Sequence, residues 1–359
     1  MRAVIFPILC CLVSATNLFA QSDYLASVDT LGLSILQEDD EKEPSSNFCT
    51  PGILNKSRSR GVDIAFNFLN GGAMRSESGG PGESAGQLNS LQSIILKVKV
   101  PLVNRPNFKL LLGYSFMPER YYFSSIPNDY NLALAGPSFS DVFNDLDSRQ
   151  LKHNSFNLYA MKPLDERHYL SFRFSAAFNG DYQGWNRFDQ RYAIYSATAA
   201  YSIKKSEDYE YGFGVALRHS FRRSLALPFF IYNRNFNAKW GLETVFPAYV
   251  NGRYNFNPKT ILMFGYQYNS ASYSVDIHGT MSEQPHVYHL SHREVLVGAS
   301  IERQVVPWVW VNLKAGIQLN LPTQFEATLD GDTSYSVMPA HTPYLRAGIF
   351  ISPPDRFCR

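Results

Sequence analysis

Two segments of the sequence place a serine two positions after a histidine, a spacing that can activate a hydroxyl group. They are His153-Asn154-Ser155 and His289-Leu290-Ser291. On a β-strand, residues i and i+2 lie on the same face, so the imidazole can take the serine proton as the hydroxyl attacks a substrate. Such a pair also needs a third group that orients the histidine, and none stands out from the sequence. The pairs define a candidate hydrolase site that depends on the strands around it.

The eight histidines of the chain raise the question of a metal site. His278, His286, His289 and His292 fall close together, and His341 lies in a later loop. His289 and His292 are spaced i, i+3, which puts them on opposite faces of a strand. The sequence has no paired-cysteine zinc pattern, glycine-rich phosphate loop or nucleophile elbow. It therefore predicts neither a metal ion nor a cofactor.

The elements that would position these side chains are strands, because apolar and polar residues alternate from about residue 60 onward. In 309–319, for example, Val309, Val311 and Leu313 oppose Trp310, Asn312 and Lys314. Each such segment has one apolar face and one face of polar or small residues. The segments are roughly 8–14 residues long, which suits tilted membrane strands better than the shorter strands of soluble sheets.

Composition and segment length together favour a membrane barrel over a soluble fold. Charged residues make up 18% of the chain and aromatic residues 14%, against about 25% charged residues in ordinary soluble domains. The net charge of +2, with no basic block, argues against a nucleic-acid partner. We predict an all-β, transmembrane, antiparallel up-and-down β-barrel. The alternative is a soluble exported β-protein that binds a hydrophobic ligand.

The connections between the predicted strands alternate in length. Short polar turns fall at 104–107, 162–167, 204–208 and 237–239, and longer stretches at 71–86, 118–149, 179–190 and 322–341. In outer-membrane barrels the short turns face the periplasm and the long loops face the cell exterior. We count about 14 strands if Pro247 divides 240–256 into a hairpin, with about 12 as the alternative, since bacterial barrels have even numbers of strands.

The two ends of the chain carry the signals for export and a candidate disulfide. Residues 1–20 have the layout of a signal peptide cleaved after Ala20. We predict a disordered acidic periplasmic segment at 21–59, the barrel at 60–352 and a short tail at 353–359. Cys49 and Cys358 remain in the mature chain. They could form a disulfide in an oxidising compartment, because the first and last strands of a closed barrel are neighbours; the alternative is two independent thiols.

The predicted lumen face is rich in cations and includes two tryptophans. The lumen-binding candidates are Lys97, Lys99, Lys109, Arg173, Arg218, Lys314, Arg346, Trp308 and Trp310. Arg253 is a further cation on the same face, and Asp63, Glu210 and Glu243 are the acidic residues predicted there. Such charges can pair across strands and stiffen the wall. In an open lumen, their excess would instead favour small anionic solutes.

One stretch of the chain resembles a known group of proteins. It runs through Leu227-Pro228-Phe229-Phe230-Ile231-Tyr232-Asn233, Trp240-Gly241-Leu242-Glu243, Phe246-Pro247-Ala248 and Arg253-Tyr254-Asn255. It is similar to a family of uncharacterised Gram-negative outer-membrane β-barrel proteins of unknown function, most clearly over about residues 225–270. The resemblance implies a barrel fold and an outer-membrane location, and it supplies no catalytic residues.

The sequence thus predicts a non-enzymatic barrel of the Gram-negative outer membrane, either a passive channel or solute binder or a structural envelope protein. The predicted partners are outer-membrane lipid, the insertion machinery during biogenesis and small anionic solutes. The enzymatic alternative is a lipid-modifying hydrolase that uses His289 and Ser291. These residues continue the alternation of Val295 and Val297, so they would face lipid near the outer rim, where an acyl substrate lies.

Overall fold

The computed structural model describes residues 53, 55–76, 85–126, 139–185, 187–221, 223–278, 286–327 and 334–352. These residues form strands, one α-helix and a short 3-10 helix at Gln190–Tyr192. The α-helix is α1 (Phe139–Ser148). The strands are β1 (Val62–Ser76), β2 (Ala85–Arg105), β3 (Phe108–Ser125), β4 (Gln150–Pro163), β5 (His168–Gly180), β6 (Ala193–Ser206), β7 (Tyr209–Ser220), β8 (Arg223–Asn235), β9 (Trp240–Phe246), β10 (Tyr249–Asn257), β11 (Thr260–Ile277), β12 (His286–Val306), β13 (Val309–Asn320), β14 (Thr323–Ala327), β15 (Ser334–Pro339) and β16 (Thr342–Ile351).

The strands close into a single antiparallel barrel with 14 strands in its wall. Each strand from β1 to β13 pairs with its neighbours in the sequence, β13 pairs with β16, and β16 closes the barrel on β1 through a ladder that starts at Val62 and Ile351. The remaining hairpin, β14 and β15, extends the wall at one rim by pairing with β12 and β1. Pro247 lies in the turn between β9 and β10, so the predicted division of 240–256 and the predicted count are both confirmed.

The outer surface of the barrel is a belt of exposed apolar side chains. Phe213 is 60% exposed, Ile317 53% and Phe174 50%, although each lies within a strand. A soluble sandwich would bury these residues between two sheets, whereas a single closed sheet turns them toward lipid. The alternative of a soluble β-protein is therefore wrong, and the fold supports the predicted location in the Gram-negative outer membrane.

Among the described residues, no helix is long and apolar enough to cross a membrane.

The two ends of the barrel differ in their connections, as predicted. The β2–β3, β6–β7, β10–β11 and β12–β13 turns are short, and they lie at the same end as the start of β1 and the end of β16. At the other end, long connections follow β1, β3, β5 and β11. The strands reach further into these connections than the sequence predicted, since β1 continues to Ser76 and β3 to Ser125.

The long-loop end is covered by a second apolar core that the alternation did not predict. Its members come from α1 and from the upper parts of β1 to β4, β11, β12, β14 and β15. They include Val142, Phe143, Leu146, Tyr273, Val275, Ile277, Tyr288, Leu290, Phe325 and Val337, all nearly inaccessible. The upper part of β11 leans across the barrel mouth, so that Ser274 pairs in parallel with Gly180 of β5. Ion pairs between Arg191 and Asp276 and between Arg149 and Asp181 lie in the same layer.

At the short-turn end, the residues before β1 lie inside the lumen. Ser57 is hydrogen-bonded to Glu243 of β9, and Arg60 forms ion pairs with Asp63 and Glu302. Burial lowers the pKa of Arg60, but the carboxylates of Glu302 and Asp63 outweigh it, so the pKa is raised above its ordinary value. The segment predicted to be disordered through residue 59 therefore ends in residues held against the wall by charge.

Candidate functional site

Between the two covered ends, the lumen contains a cavity of about 240 Å³. Its wall is built from the inward faces of strands on both sides of the barrel. Six cationic side chains line it: Lys97, Lys99, Arg173, Arg218, Lys314 and Arg346. Only two acidic side chains, Glu119 and Glu294, are among its described lining residues. The cavity therefore carries a clear excess of positive charge.

Arg346, Lys314 and Arg173 are held by partners on other strands. Arg346 forms an ion pair with Asp63 at 2.9 Å, which itself also binds Arg60. Lys314 donates to the Gln267 amide oxygen at 3.1 Å, and Arg173 donates to the Asn157 amide oxygen at 2.8 Å. The acceptor in each of these two contacts is a neutral amide oxygen. The prediction that charges pair across strands thus describes Arg346, whereas the other two pairs join a cation to a neutral amide.

The two acidic groups have their own local partners. Glu119 accepts a hydrogen bond from the Tyr273 hydroxyl at 3.0 Å. Glu294 accepts from the Asn269 amide at 2.9 Å and lies 3.0 Å from His292 Nε2. Both contacts involve strands that continue into the covered long-loop end. The acidic side of the cavity is therefore tied to the layer that closes the mouth.

The structure assembles the first of the two histidine-serine pairs. His153 and Ser155 both border the cavity, and His153 Nε2 lies 3.2 Å from Ser155 Oγ. His153 Nδ1 lies 2.8 Å from the side-chain oxygen of Asn179, which is the directly opposed residue on β5. Asn179 is the orienting group that the sequence did not reveal. The pattern could have shown it, because Asn179 extends the lumen-facing alternation of Arg173 and Ser175 by two more steps.

The second pair, His289 and Ser291, lies near the rim on β12. The His289 ring stacks on Phe221, which lies in the β7–β8 turn, with ring centroids 4.3 Å apart and planes 2° from parallel. Ser291 is paired in the sheet with Ser272 of β11 and Gln324 of β14. The His289 ring is thus packed flat against an aromatic neighbour.

The remaining predicted lumen residues, Trp310, Trp308 and Lys109, do not line the cavity. Trp310 is buried in the lumen, with the Arg58 guanidinium 5.1 Å from its ring centroid and Phe350 stacked beside it. Trp308 instead lies in the β12–β13 turn with φ of 76°. It leaves the predicted lumen face because the strand alternation ends before it. Lys109 is buried at the short-turn end of β3, next to the turn that follows β2.

Arg253 and the acidic residues predicted beside it form a layer below the cavity. The Arg253 guanidinium lies 3.1 Å from Glu243, and Glu210 accepts from the Asn233 amide at 3.0 Å. Cys49 and Cys358 lie outside the described residues, as does the predicted cleavage site at Ala20. Among the described residues, no group of three or more His, Cys, Asp or Glu side chains could hold a metal ion.

Comparison with known proteins adds several partial similarities. The structure resembles a FadL homologue from Pseudomonas aeruginosa with 10% identity and a TM-score of 0.37, covering 81% of this chain and 90% of that one. It resembles the outer membrane protease OmpT from Escherichia coli with 11% identity and a TM-score of 0.28, covering 82% and 98%. The toluene transporter TodX from P. putida follows with 8% identity and a TM-score of 0.34, covering 82% and 89%. No curated protein matches the chain.

A family model matches residues 138–349, which include the 225–270 stretch where the resemblance to uncharacterised barrel proteins was noted. That resemblance is confirmed. The match covers strands from β4 to β16, and with them His153, Ser155, Asn179 and four of the six cavity cations. The chain belongs to the DUF6268 family, a domain of unknown function.

Proposed function

We propose that this outer-membrane barrel binds small anionic solutes in its central cavity. The observation that carries the proposal is the convergence, among the described residues, of six cationic and only two acidic side chains on one lumen cavity. Charge inside a low-dielectric wall acts more strongly than on an open surface, so an anion of matching size is attracted into the cavity. Charge-assisted hydrogen bonds from lysine and arginine would then hold it.

The size of the cavity limits the kind of solute. Its volume of about 240 Å³ lies below the roughly 300–1,000 Å³ of pockets for drug-sized ligands. Inorganic phosphate or a short dicarboxylate fits this space better than a lipid or an oligosaccharide. The apolar layer above the cavity and the charged layer below it narrow the lumen at both ends. This narrowing favours a binder or a selective conduit over a wide general pore.

The test is a binding measurement on the refolded full chain in detergent. Isothermal titration calorimetry with succinate and with inorganic phosphate should give saturable binding that weakens as salt is raised. The Lys314→Gln variant should bind about 10- to 100-fold more weakly, because a charge-assisted hydrogen bond is worth about 1.5–3 kcal/mol. Lys239→Gln, which removes a cation from the exposed β8–β9 turn, is the matched control and should bind like the parent protein.

Three outcomes would contradict the proposal. One is a folded barrel, with intact heat-dependent gel mobility, that binds neither anion. Another is a Lys314→Gln variant that binds as tightly as the Lys239→Gln control. A preference for cations in planar-bilayer recordings would also count against it, since the excess charge on the wall is positive.

A further inference from the structure

Four side chains next to the cavity form a continuous chain of hydrogen bonds across three strands. The Asn179 amide nitrogen donates to the Ser272 carbonyl oxygen of β11 at 2.9 Å. The Asn179 amide oxygen faces His153 Nδ1 at 2.8 Å, and His153 Nε2 faces Ser155 Oγ at 3.2 Å. The Asn157 amide nitrogen also donates to Ser155 Oγ, at 3.2 Å. The direction of each bond in this chain can be assigned from its neighbours.

The contact with β11 fixes the tautomer of the neutral histidine. Because the Asn179 NH₂ group is used on a carbonyl oxygen, its own oxygen must be the atom that faces His153. That oxygen can only accept, so neutral His153 carries its proton on Nδ1 and presents an unprotonated Nε2 to Ser155. The Nε2 atom is then free to accept the hydroxyl proton. This is the state that a general base requires.

The orientation of Asn157 is fixed in the same way from the other side. Its amide oxygen accepts two hydrogen bonds from the Arg173 guanidinium, at 2.8 and 3.2 Å. Its NH₂ group therefore points at Ser155 Oγ. A donor that already faces the serine oxygen lies beside the position where negative charge would develop on a bound carbonyl oxygen. Arg173 holds this donor in place and lines the same cavity.

We propose that Ser155, His153 and Asn179 form an acyl-transfer site that opens into the lumen cavity and hydrolyses small anionic esters. Ser155 and His153 are the catalytic residues and Asn179 is a positioning residue. The substrate class rests on the anion binding proposed above, whereas the reactivity of Ser155 rests on the hydrogen-bond geometry alone. The site differs from the lipid-facing pair considered from the sequence, since it faces an aqueous, positively charged cavity.

The reaction follows from these roles. Ser155 Oγ attacks the ester carbonyl carbon and gives its proton to His153 Nε2, and the carbonyl oxygen takes up the negative charge near the Asn157 amide. The carbon–oxygen bond to the alcohol then breaks, and the alcohol leaves with the proton from His153. Water attacks the acyl-serine in the second half, gives a proton to His153, and releases the carboxylic acid as Ser155 recovers that proton.

The decisive experiment measures the reactivity of Ser155 with a small uncharged probe. The refolded full chain is incubated with diisopropyl fluorophosphate, and peptide mass spectrometry locates the phosphorylated serine, which forms as fluoride leaves. We expect modification at Ser155 and none there in Ser155→Ala. His153→Gln should slow the modification by about 100-fold or more, which is the usual loss when a general base is removed. Asn179→Ala should slow it by less, with His153 still present.

The matched control is Ser171→Ala, which removes a buried serine of β5 that does not line the cavity. It should be modified at Ser155 at the parent rate. Because Ser155→Ala could fold poorly, Ser155→Cys provides a second variant that keeps a nucleophile. Its alkylation by iodoacetamide should fall when His153→Gln is added. Heat-dependent gel mobility verifies folding for every variant.

A second readout separates this inference from the anion-binding proposal. Hydrolysis of 4-nitrophenyl succinate monoester should exceed that of 4-nitrophenyl acetate, and Lys314→Gln should reduce only the former. Modification of Ser155 without any preference for the anionic ester would keep the nucleophile and overturn the substrate class. A folded protein in which Ser155 stays unmodified, or in which His153→Gln reacts at the parent rate, would overturn the acyl-transfer site itself.

Discussion

Ser57 and Glu243, which lie 186 positions apart in the sequence, are joined by two hydrogen bonds inside the lumen. The Ser57 backbone N–H donates to one carboxylate oxygen at 2.8 Å, and the Ser57 hydroxyl donates to the other at 2.6 Å. The same carboxylate lies 3.1 Å from the Arg253 guanidinium, which is 1% exposed. Glu243 therefore fastens the segment before β1 to the wall and compensates a buried cation.

We expect Glu243→Ala to destabilise the barrel by about 3–5 kcal/mol, because removing one member of a buried ion pair leaves the other charge uncompensated. Urea unfolding of the refolded protein measures this change. Trypsin should also cut after Lys56 or Arg58 faster than in the parent protein, since the segment has lost its anchor.

The control for this change is Glu207→Ala. Glu207 lies in the exposed β6–β7 turn and pairs there with Lys204 at 2.8 Å. An exposed pair contributes little, so this variant should stay within about 0.5 kcal/mol of the parent. Equal stability and equal trypsin resistance in the two variants would show that Glu243 does not anchor the segment.

The apolar belt predicts the effect of a charge on the outer surface. Phe174 lies near the middle of β5 and is 50% exposed. We expect Phe174→Arg to cost about 2–4 kcal/mol, the loss seen when arginine faces lipid at the middle of a bilayer. Unfolding by urea from phospholipid vesicles measures it.

Phe236→Arg is the matched change outside the belt, since Phe236 is 59% exposed in the short β8–β9 turn. It should leave the stability almost unchanged. If both variants lose the same amount, the outer face of β5 does not meet the hydrocarbon core.

The strands of the wall could be predicted from the sequence because each side chain there faces either the lumen or the lipid. Phe213 and Leu313 face outward and Asn312 and Lys314 face inward, as their alternation predicts. The same rule fails in the upper part of β11, where Tyr273 and Ser274 are both buried although they lie on opposite faces. Their burial arises from α1 and from the crossing to β5. Neither contact produces an alternating pattern of apolar and polar residues in the sequence.

Part of the candidate site could be predicted from the sequence for a related reason. The spacing of His153 and Ser155 is local, so the sequence contains it. The partner Asn179 depends on the register between β4 and β5, which pairs His153 with Asn179 directly. A shift by one residue would turn Asn179 to the lipid face. Strand parity alone favours the His289 pair, whereas the cross-strand contacts assemble the His153 pair.

The crossing of β11 to β5 depends on the absence of a side chain at Gly180. A Cβ atom there would collide with the Tyr192 ring and lie 2.6 Å from the Ser274 carbonyl oxygen. We expect Gly180→Ala to push β11 away and cost about 1–3 kcal/mol, as overpacking in a tight contact does. Hydrogen exchange should become faster in the 268–277 part of β11.

Gly61→Ala provides the comparison, because a Cβ atom at Gly61 would meet only the Ile351 carbonyl oxygen at an ordinary 3.6 Å. This variant should keep the parent exchange pattern. Unchanged protection of 268–277 in Gly180→Ala would show that the β5 contact does not hold the covered mouth in place.

The β4–β5 turn should make stability depend on pH. The backbone N–H of Arg167 lowers the pKa of Asp165, with further contributions from the His168 ring and the His168 backbone N–H. A lowered pKa in the folded state stabilises the protein above the ordinary pKa of the carboxyl group, and this stabilisation is lost as pH falls through the lowered value.

Asp165→Ala should therefore be less stable than the parent protein at pH 7, and the difference should shrink as the pH falls toward about 2, because protonation of Asp165 removes its charge. Urea unfolding at the two pH values measures it. Glu166→Ala, which removes the adjacent carboxylate, is the control. A stability difference for Asp165→Ala that is the same at both pH values would contradict the assignment.

The closure of the barrel gives a reason to expect a disulfide between Cys49 and Cys358. Val62 at the start of β1 pairs with Ile351 at the end of β16, and the Ser352 backbone N–H donates to the Trp308 carbonyl oxygen at 2.8 Å. Cys49 precedes Val62 by 13 residues and Cys358 follows Ile351 by seven, so each is a short stretch of chain away from this rim. In an oxidising periplasm, two thiols that can meet tend to pair. Peptide mass spectrometry of the protein isolated without reductant should detect the Cys49–Cys358 crosslink, and reduction should remove it. Cys358→Ser should leave Cys49 open to alkylation in the folded barrel. Full alkylation of both thiols in the unreduced parent protein would show that they remain independent.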